Sequence, residues 1–383
     1  MGILNYGKQY LDQNDYNALK SKTFKDFLTT GPLVKKFENN IKKKIGAKYV
    51  ASCSSGTAAL HIAFKAIDLK ENDVVIVPII NFISSVNILM EMRAKIYFAD
   101  VDIITGQMTP KTLNECIQKN NLKKVKAFVT MYLGGSCQNN LSFYKMKKKI
   151  NCFMIEDACH ALGGKYKINR KYFSVGSCEH ADISTFSLHP VKSITTGEGG
   201  LITTNNKSIF EKALLFRSHG IVRKKNNHWE YDVISPGLNY RLSDLNCSLG
   251  ISQLKKLNLF IQKRNKIAKI YFKLLKDIDA IQLPILFKEL SSSWHLFVIK
   301  INFSKLKKKK SDLFKFFVKK NIRAQQHYIP INEYSFYKKK IKGSFKNSKV
   351  YISQAVSLPI HYSCSKKDII NVCKNLKIFL YAK

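Results

Sequence analysis

Short apolar runs alternate with helical patterns along the first two-thirds of this chain. Residues 74–77, 96–100, 127–131, 152–157, 183–186 and 201–204 are β-rich runs and predict strands, while residues 58–67 and 111–118 carry helical spacing. Strands that alternate with helices predict an α/β fold with a mostly parallel sheet covered on both faces. From Ser243 to about Leu275 a long helical pattern carries the chain away from that sheet. The remainder mixes a strand (294–301), a helix (312–320), an extended piece (323–330) and a closing helix from Lys366, the outline of a smaller α+β domain. The expected division is a large α/β domain over 20–248 and a small α+β domain over 249–383, joined by an N-terminal segment, 1–19. No internal repeat or disordered tail is apparent, and residues 305–310 are the only low-complexity patch.

Composition narrows the class. With 383 residues, 45% of them hydrophobic, the chain can bury a large core. The longest apolar stretch, 74–90, is interrupted by Pro78, Asn81, Ser84, Ser85 and Asn87, so no membrane span is expected. The N-terminus lacks the basic start and apolar stretch of a signal peptide, and Tyr6 stands where a myristoylation signal needs Ser or Thr. Nine cysteines are scattered without a Cys-x-x-Cys pair, which indicates neither a disulfide framework nor a metal site. A reduced cytoplasm is the expected location.

The net charge of +39 raises the alternative of a basic nucleic-acid-binding protein. Against it, the basic residues are 58 lysines and only 7 arginines, whereas sequence-specific readers lean on the bidentate arginine fork. The lysine clusters 147–149, 307–310 and 338–340 fall where solvated helix ends or loops are expected, and no specific nucleic-acid partner is predicted. Scarcity makes the arginines informative. Arg217, Arg223 and Arg241 fall in one short stretch, either to grip a carboxylate or phosphate or to form structural salt bridges.

One lysine has a distinctive setting. Lys192 lies in Phe-Ser-Leu-His-Pro-Val-Lys-Ser-Ile-Thr-Thr-Gly-Glu-Gly-Gly, after an expected strand, behind His189-Pro190 and before a Thr- and Gly-rich turn. A cramped, partly dry pocket lowers the pKa of an amine and makes it a Schiff-base nucleophile, as in pyridoxal phosphate (PLP) chemistry. PLP also needs a phosphate cradle and an acid for its ring nitrogen. Ser54-Ser55-Gly56-Thr57-Ala58 is a small-residue turn entering a helix: a cradle of backbone N–H groups, or a plain helix cap. Asp157 ends an apolar strand and is followed by Ala158-Cys159-His160; it is either the ring-nitrogen partner, with His160 orienting it or touching the ring hydroxyl, or another cap. Phe82 is a ring to stack on the cofactor or a core residue, Ser187 a phosphate donor, and Asn239 a polar residue before the long helix.

Together and in this order, these segments resemble a family. From Tyr6 to about Pro359 the chain is similar to DegT/StrS-type, fold-type-I PLP-dependent nucleotide-sugar aminotransferases. The likeness rests on Leu28-Thr29-Thr30-Gly31-Pro32, Ser55-Gly56-Thr57-Ala58-Ala59-Leu60, Glu156-Asp157-Ala158-Cys159-His160-Ala161-Leu162-Gly163, the lysine run, Arg217-Ser218-His219-Gly220, Asn239-Tyr240-Arg241-Leu242-Ser243-Asp244 and His327-Tyr328-Ile329-Pro330. The most similar sub-type aminates a UDP-linked 4-keto-6-deoxy-N-acetylhexosamine in the pseudaminic acid pathway, with L-glutamate as donor. Other substrates within the family are dTDP- or GDP-linked, or 3-keto. A dehydratase of the family carries His in place of the lysine.

The resemblance implies that Lys192 holds PLP as a Schiff base and moves protons, and that Asp157 pairs with the pyridine nitrogen. It implies further that Gly56, Thr57, Ala58 and Ser187 hold the phosphate, that His160 lies against the ring, and that Phe82 stacks on it. Asn239 would serve the partner subunit's site, making a homodimer with shared active sites. The nucleotide-sugar would lie near Tyr6, Asp26, Phe27, Leu28, Thr29, Arg217, His327, Tyr328, Ile329 and Pro330, with no metal. Asn81 and Leu188 depart from the usual Thr and aromatic residue, which bears on substrate specificity.

Overall fold

Seven strands form the central sheet, in the spatial order Tyr49–Cys53, Gly200–Thr204, Ile183–Ser187, Phe153–Asp157, Ala127–Met131, Val74–Pro78 and Lys95–Ala99. The structure is a computed structural model that describes residues 2–20, 22–25, 27–224, 226–227 and 229–382. Only Gly200–Thr204 runs against its neighbours; every other pairing in the sheet is parallel. Helices cover both faces, so the central strands are buried along almost their whole length. The mostly parallel α/β sheet is as expected. Tyr49–Cys53 was not anticipated.

The helix Gly56–Ala66 starts two residues earlier than its hydrophobic spacing suggests. Ser55 is extended, and its Oγ accepts from the Ala58 N–H at 3.0 Å, which sets the helix start at Gly56. Ala59, Leu60, Ile62, Ala63 and Phe64 are then fully buried against the sheet. The long helix is Asp244–Leu275, capped by Ser243 Oγ. Its buried Asp244 carboxylate accepts from the backbone of Gly31 (2.7 Å) and Leu33 (2.9 Å), fixing the start of the helix Pro32–Ile45.

The same helix runs unbroken through residue 249, and from Ile267 onward it packs in a second apolar cluster with Phe297, Ile299, Leu313, Phe317, Val372 and Leu376. The C-terminal region contains a three-stranded sheet of Ile281–Gln282, Phe297–Ile301 and Ala355–Leu358 and closes with the helix Lys366–Tyr381. The extended piece at 323–330 pairs only at its edges: Ile322–Arg323 joins Leu4–Asn5 in parallel, and Gln325 bridges Ser357. The rest is irregular and lies against the cavity described below.

Some lysines taken as solvated are not. Lys308 Nζ donates to the Phe379 (2.5 Å) and Ala382 (2.7 Å) carbonyls and so caps the last helix, Lys310 Nζ donates to the Ile352 carbonyl, and Lys147 pairs with Asp182. A cation at a helix C-terminus satisfies the orphan carbonyls there. Among the described residues no helix is long and apolar enough to cross a membrane, all nine cysteines are free, and no group of His, Cys, Asp and Glu is arranged to hold a metal.

Candidate active site

The carboxyl ends of the parallel strands gather the chemistry. Asp157 ends its strand in register with Met131 and Thr185, and Ser187 ends the neighbouring strand. Gly56 and Thr57 open their helix at the same sheet end, because Tyr49–Cys53 runs in the common direction and feeds straight into the turn before it. The turn after Ser187 brings Lys192 back over this edge, held by its N–H to the His189 carbonyl at 2.9 Å. Segment 325–328 closes the space from the C-terminal side. The result is a cavity of about 500 Å³ bordered by Tyr6, Gly56, Thr57, Phe82, Asp157, His160, Ser187, Lys192, His327 and Tyr328.

Those ten expected site residues are brought together. Ala58 is buried behind the cradle, its N–H taken by Ser55 Oγ. Phe27, Leu28 and Thr29 are exposed and lie outside the cavity, as do Ile329, which is partly exposed, and Pro330, which is buried. Asp26 lies outside the described residues. Asn239 is exposed and bridges Ser218, away from its own chain's cavity.

Arg217 is a correction. Its Nη1 donates to Glu38 Oε1 (2.6 Å) and to the Ser52 carbonyl (2.8 Å), so the guanidinium is engaged in a largely buried ion pair rather than facing the cavity. The two departures from the family pattern are also structural. Asn81 is buried with its Nδ2 on Ser85 Oγ at 2.9 Å, and Leu188 is fully buried in the core.

Sequence reasoning missed His189, Glu198, Gln325, Gln326 and Cys159 as wall residues. His189 and Glu198 flank Lys192 in sequence and were legible by proximity. The two glutamines carry no local signal, since only the packing of the C-terminal region against the sheet brings them to the site.

Electrostatics follow from burial. Desolvation pulls the Lys192 amine below its ordinary pKa, opposed by Cys159 and Asp157. Burial pushes the Asp157 carboxyl upward, opposed by the Cys159 contacts and by Lys192. Its Oδ1 accepts from the Cys159 N–H at 3.2 Å. A carboxylate in such a place gains from a cationic partner. His160 is held well below its usual range by burial, then by Lys192 and His327, and is therefore neutral.

The residues fit PLP. Lys192 supplies an amine and Asp157 a desolvated acid for a protonated ring nitrogen. The first-turn amides at Gly56 and Thr57 lack helical partners and point where a phosphate is favoured. At Gly56 a Cβ would lie 2.8 Å from Ser187 Cβ, so only glycine leaves this cradle open. An amine, an acid and an anion cradle on one sheet edge define an enzyme of the PLP-dependent class.

Residues 9–377 match the DegT/DnrJ/EryC1/StrS aminotransferase family, and the chain belongs to it. It is 36% identical to the UDP-4-amino-4,6-dideoxy-N-acetyl-beta-L-altrosamine transaminase of Campylobacter jejuni, over 96% of this chain and 94% of that protein. It is 30% identical to the GDP-perosamine synthase of Escherichia coli O157:H7, over 91% and 90%. Among solved structures it is similar to Helicobacter pylori PseC, an aminotransferase involved in the biosynthesis of pseudoaminic acid, with a TM-score of 0.90 at 30% identity, covering 98% of this chain and 99% of that one. The chain is an aminotransferase that uses PLP.

Proposed function

We propose that this enzyme moves the amino group of L-glutamate to the 4-keto carbon of a UDP-linked 4-keto-6-deoxy-N-acetylhexosamine, a step in nucleotide-sugar biosynthesis of the pseudaminic acid type. The observation that carries this reading is one cavity bordered by Lys192, Asp157 and the Gly56–Thr57 helix start, in a chain 36% identical to a transaminase of that sugar class.

PLP, when bound, supplies an electron sink that stabilises negative charge on the carbon losing its proton. The chain's own residues do the rest. Gly56, Thr57 and Ser187 hold the phosphate by N–H and hydroxyl donors, and Asp157 keeps the ring nitrogen protonated. Lys192, whose amine burial pulls below its ordinary pKa, takes a proton from the donor amino acid and returns one to the sugar carbon. Such positioned proton transfer is typically worth about 10²–10⁴ in rate. Tyr6 and His327, with ring centroids 5.1 Å apart, form the wall from which the nucleotide-sugar is contacted. Phe82, half exposed at the cavity, is the stacking ring.

The active unit in this reading is a homodimer. The antiparallel pair Ile221–Arg223 and Tyr231–Val233 presents Val222, Tyr231 and Val233 to solvent, with Ile234 and Leu238 beside it. Apolar exposure on this scale is characteristic of an interface. Asn239, exposed next to that pair, would complete the partner's site. We also propose a cytoplasmic location, and the two domains 20–248 and 249–383 sharing the long helix.

The test is a panel of keto nucleotide-sugars (UDP-, dTDP- and GDP-linked, 4-keto and 3-keto) incubated with glutamate and enzyme, with products read by mass spectrometry and NMR. Amination of the UDP-4-keto-6-deoxy-N-acetylhexosamine alone supports the proposal. Turnover of a GDP- or dTDP-linked sugar in its place overturns the substrate. The Lys192→Ala variant should make no product; full turnover by it would refute the site.

A further inference from the structure

His160 has a defined tautomer, and the tautomer dictates where a neighbouring hydroxyl points. The ring is wedged in a dry niche, with the His295 ring centroid 4.1 Å and the Tyr328 centroid 5.9 Å away. Its backbone is tied from the C-terminal side, where Ser293 Oγ donates to the His160 carbonyl at 2.6 Å. Nδ1 accepts the Gly134 N–H at 3.4 Å, and a backbone N–H can only donate. In a neutral imidazole the proton is then on Nε2. Nε2 lies 3.0 Å from Tyr328 Oη and therefore donates to it.

The consequence falls on Tyr328. Its oxygen accepts from His160, so its own O–H hydrogen is left for something else. Among the described residues His160 is the only hydrogen-bond partner of that hydroxyl. Tyr328 borders the cavity together with Lys192 and Asp157, and its ring lies 5.7 Å from that of Phe82. Tyr6, Asp157, Cys159 and Tyr334 act on the phenol, and Lys192 and His327 act on His160. Burial, followed by Tyr6 and Asp157, holds the phenol well above its ordinary pKa, so it stays a neutral donor.

We infer that Tyr328 donates its hydroxyl hydrogen to the ring oxygen of bound PLP, with His160 acting as the positioning residue that turns this donor inward. The inference rests on the site reading given above. Such a donor draws electron density onto the ring oxygen and loosens the nearby proton that gives the holoenzyme its pH-dependent visible band. It also links the two halves of the chain, since Gly134 and His160 come from the sheet and Tyr328 from the C-terminal region.

The experiment titrates the visible band of the holoenzyme against pH for the wild type, Tyr328→Phe, His160→Asn and the double variant. Losing a hydrogen bond to a charged oxygen should move the midpoint of Tyr328→Phe upward by roughly one to two pH units, a ten- to hundredfold tighter hold on the proton. His160→Asn should shift it part of the way, and the double variant no further than Tyr328→Phe, because both act through one hydroxyl. An unmoved midpoint in Tyr328→Phe with a raised KM for the nucleotide-sugar would assign the hydroxyl to the substrate and overturn the inference. So would full additivity in the double variant. If Lys192→Ala retains the wild-type band and turnover, the site reading itself fails, which is a separate outcome.

Discussion

Replacing Gly56 by alanine tests whether the helix start is a phosphate cradle or a plain cap. As a helix residue, alanine should be better than glycine by about 1 kcal/mol. The new Cβ, however, would stand 2.8 Å from Ser187 Cβ and 3.3 Å from Ser187 Cα, where carbon atoms prefer about 3.5–4.0 Å. Ser187 cannot retreat easily, since it ends a strand paired in register with Gly200. Overpacking of this kind costs about 1–3 kcal/mol, so after the helix gain the net loss of stability should be about 0–2 kcal/mol. The larger effect is on the cofactor. Prising the Gly56 turn from Ser187 spoils at least one charge-assisted bond to the phosphate, worth about 1.5–3 kcal/mol, so PLP should bind roughly ten- to hundredfold more weakly. Urea unfolding of the apoenzyme and equilibrium titration of its colour with PLP measure the two terms separately. A variant that unfolds at higher urea and binds PLP as tightly as the wild type would refute the cradle.

Arg217→Ala should cost about 3 kcal/mol of unfolding free energy, because Glu38 is left largely buried with only the Ser52 N–H and hydroxyl (both 2.8 Å) as donors. KM for the nucleotide-sugar should not change, and a tenfold rise without loss of stability would restore a substrate role. Acid should weaken the apoenzyme through His327, whose pKa burial and Lys192 lower to about 3. Below pH 6.5 the unfolded chain takes up a proton that the folded chain refuses, so stability falls as pH drops, by about 1.4 kcal/mol per unit until the folded pKa is reached. His327→Asn should therefore lose about 1.4 kcal/mol less than the wild type between pH 7.5 and 5.5 in urea unfolding, and identical losses would show that His327 is not the group responsible.

Much of the molecule is legible in one dimension because strong local rules agree there. The strands Val74–Pro78 and Ala127–Met131 read as apolar runs, Asp157 as an acid ending such a run, and Lys192 as an amine in a small-residue turn. The Ser55 cap and the Ser243 cap likewise follow from side chains adjacent to the helices they start.

Where local signals compete, the order of pieces decided more than any single piece. Asp157 alone reads as well as a cap, and Gly56 alone as a turn. Their sequence order, with the lysine run between them and the C-terminal segment, is what points to one chemistry.

What remained hidden depends on long-range contact. The scarcity of arginine left Arg217 either a ligand for an anion or a structural ion pair, and its partner, Glu38, lies on a helix far away in sequence. Gln325 and Gln326 reach the cavity only because the C-terminal region packs over the sheet edge. The sequence by itself determined the fold class, since periodicity and turn chemistry are local and survive in one dimension, and the order of its motifs pointed to the family. The tertiary structure alone decided which charges are neutralised and which side chains meet around His160, because burial and hydrogen-bond partners are set by residues far apart in the chain.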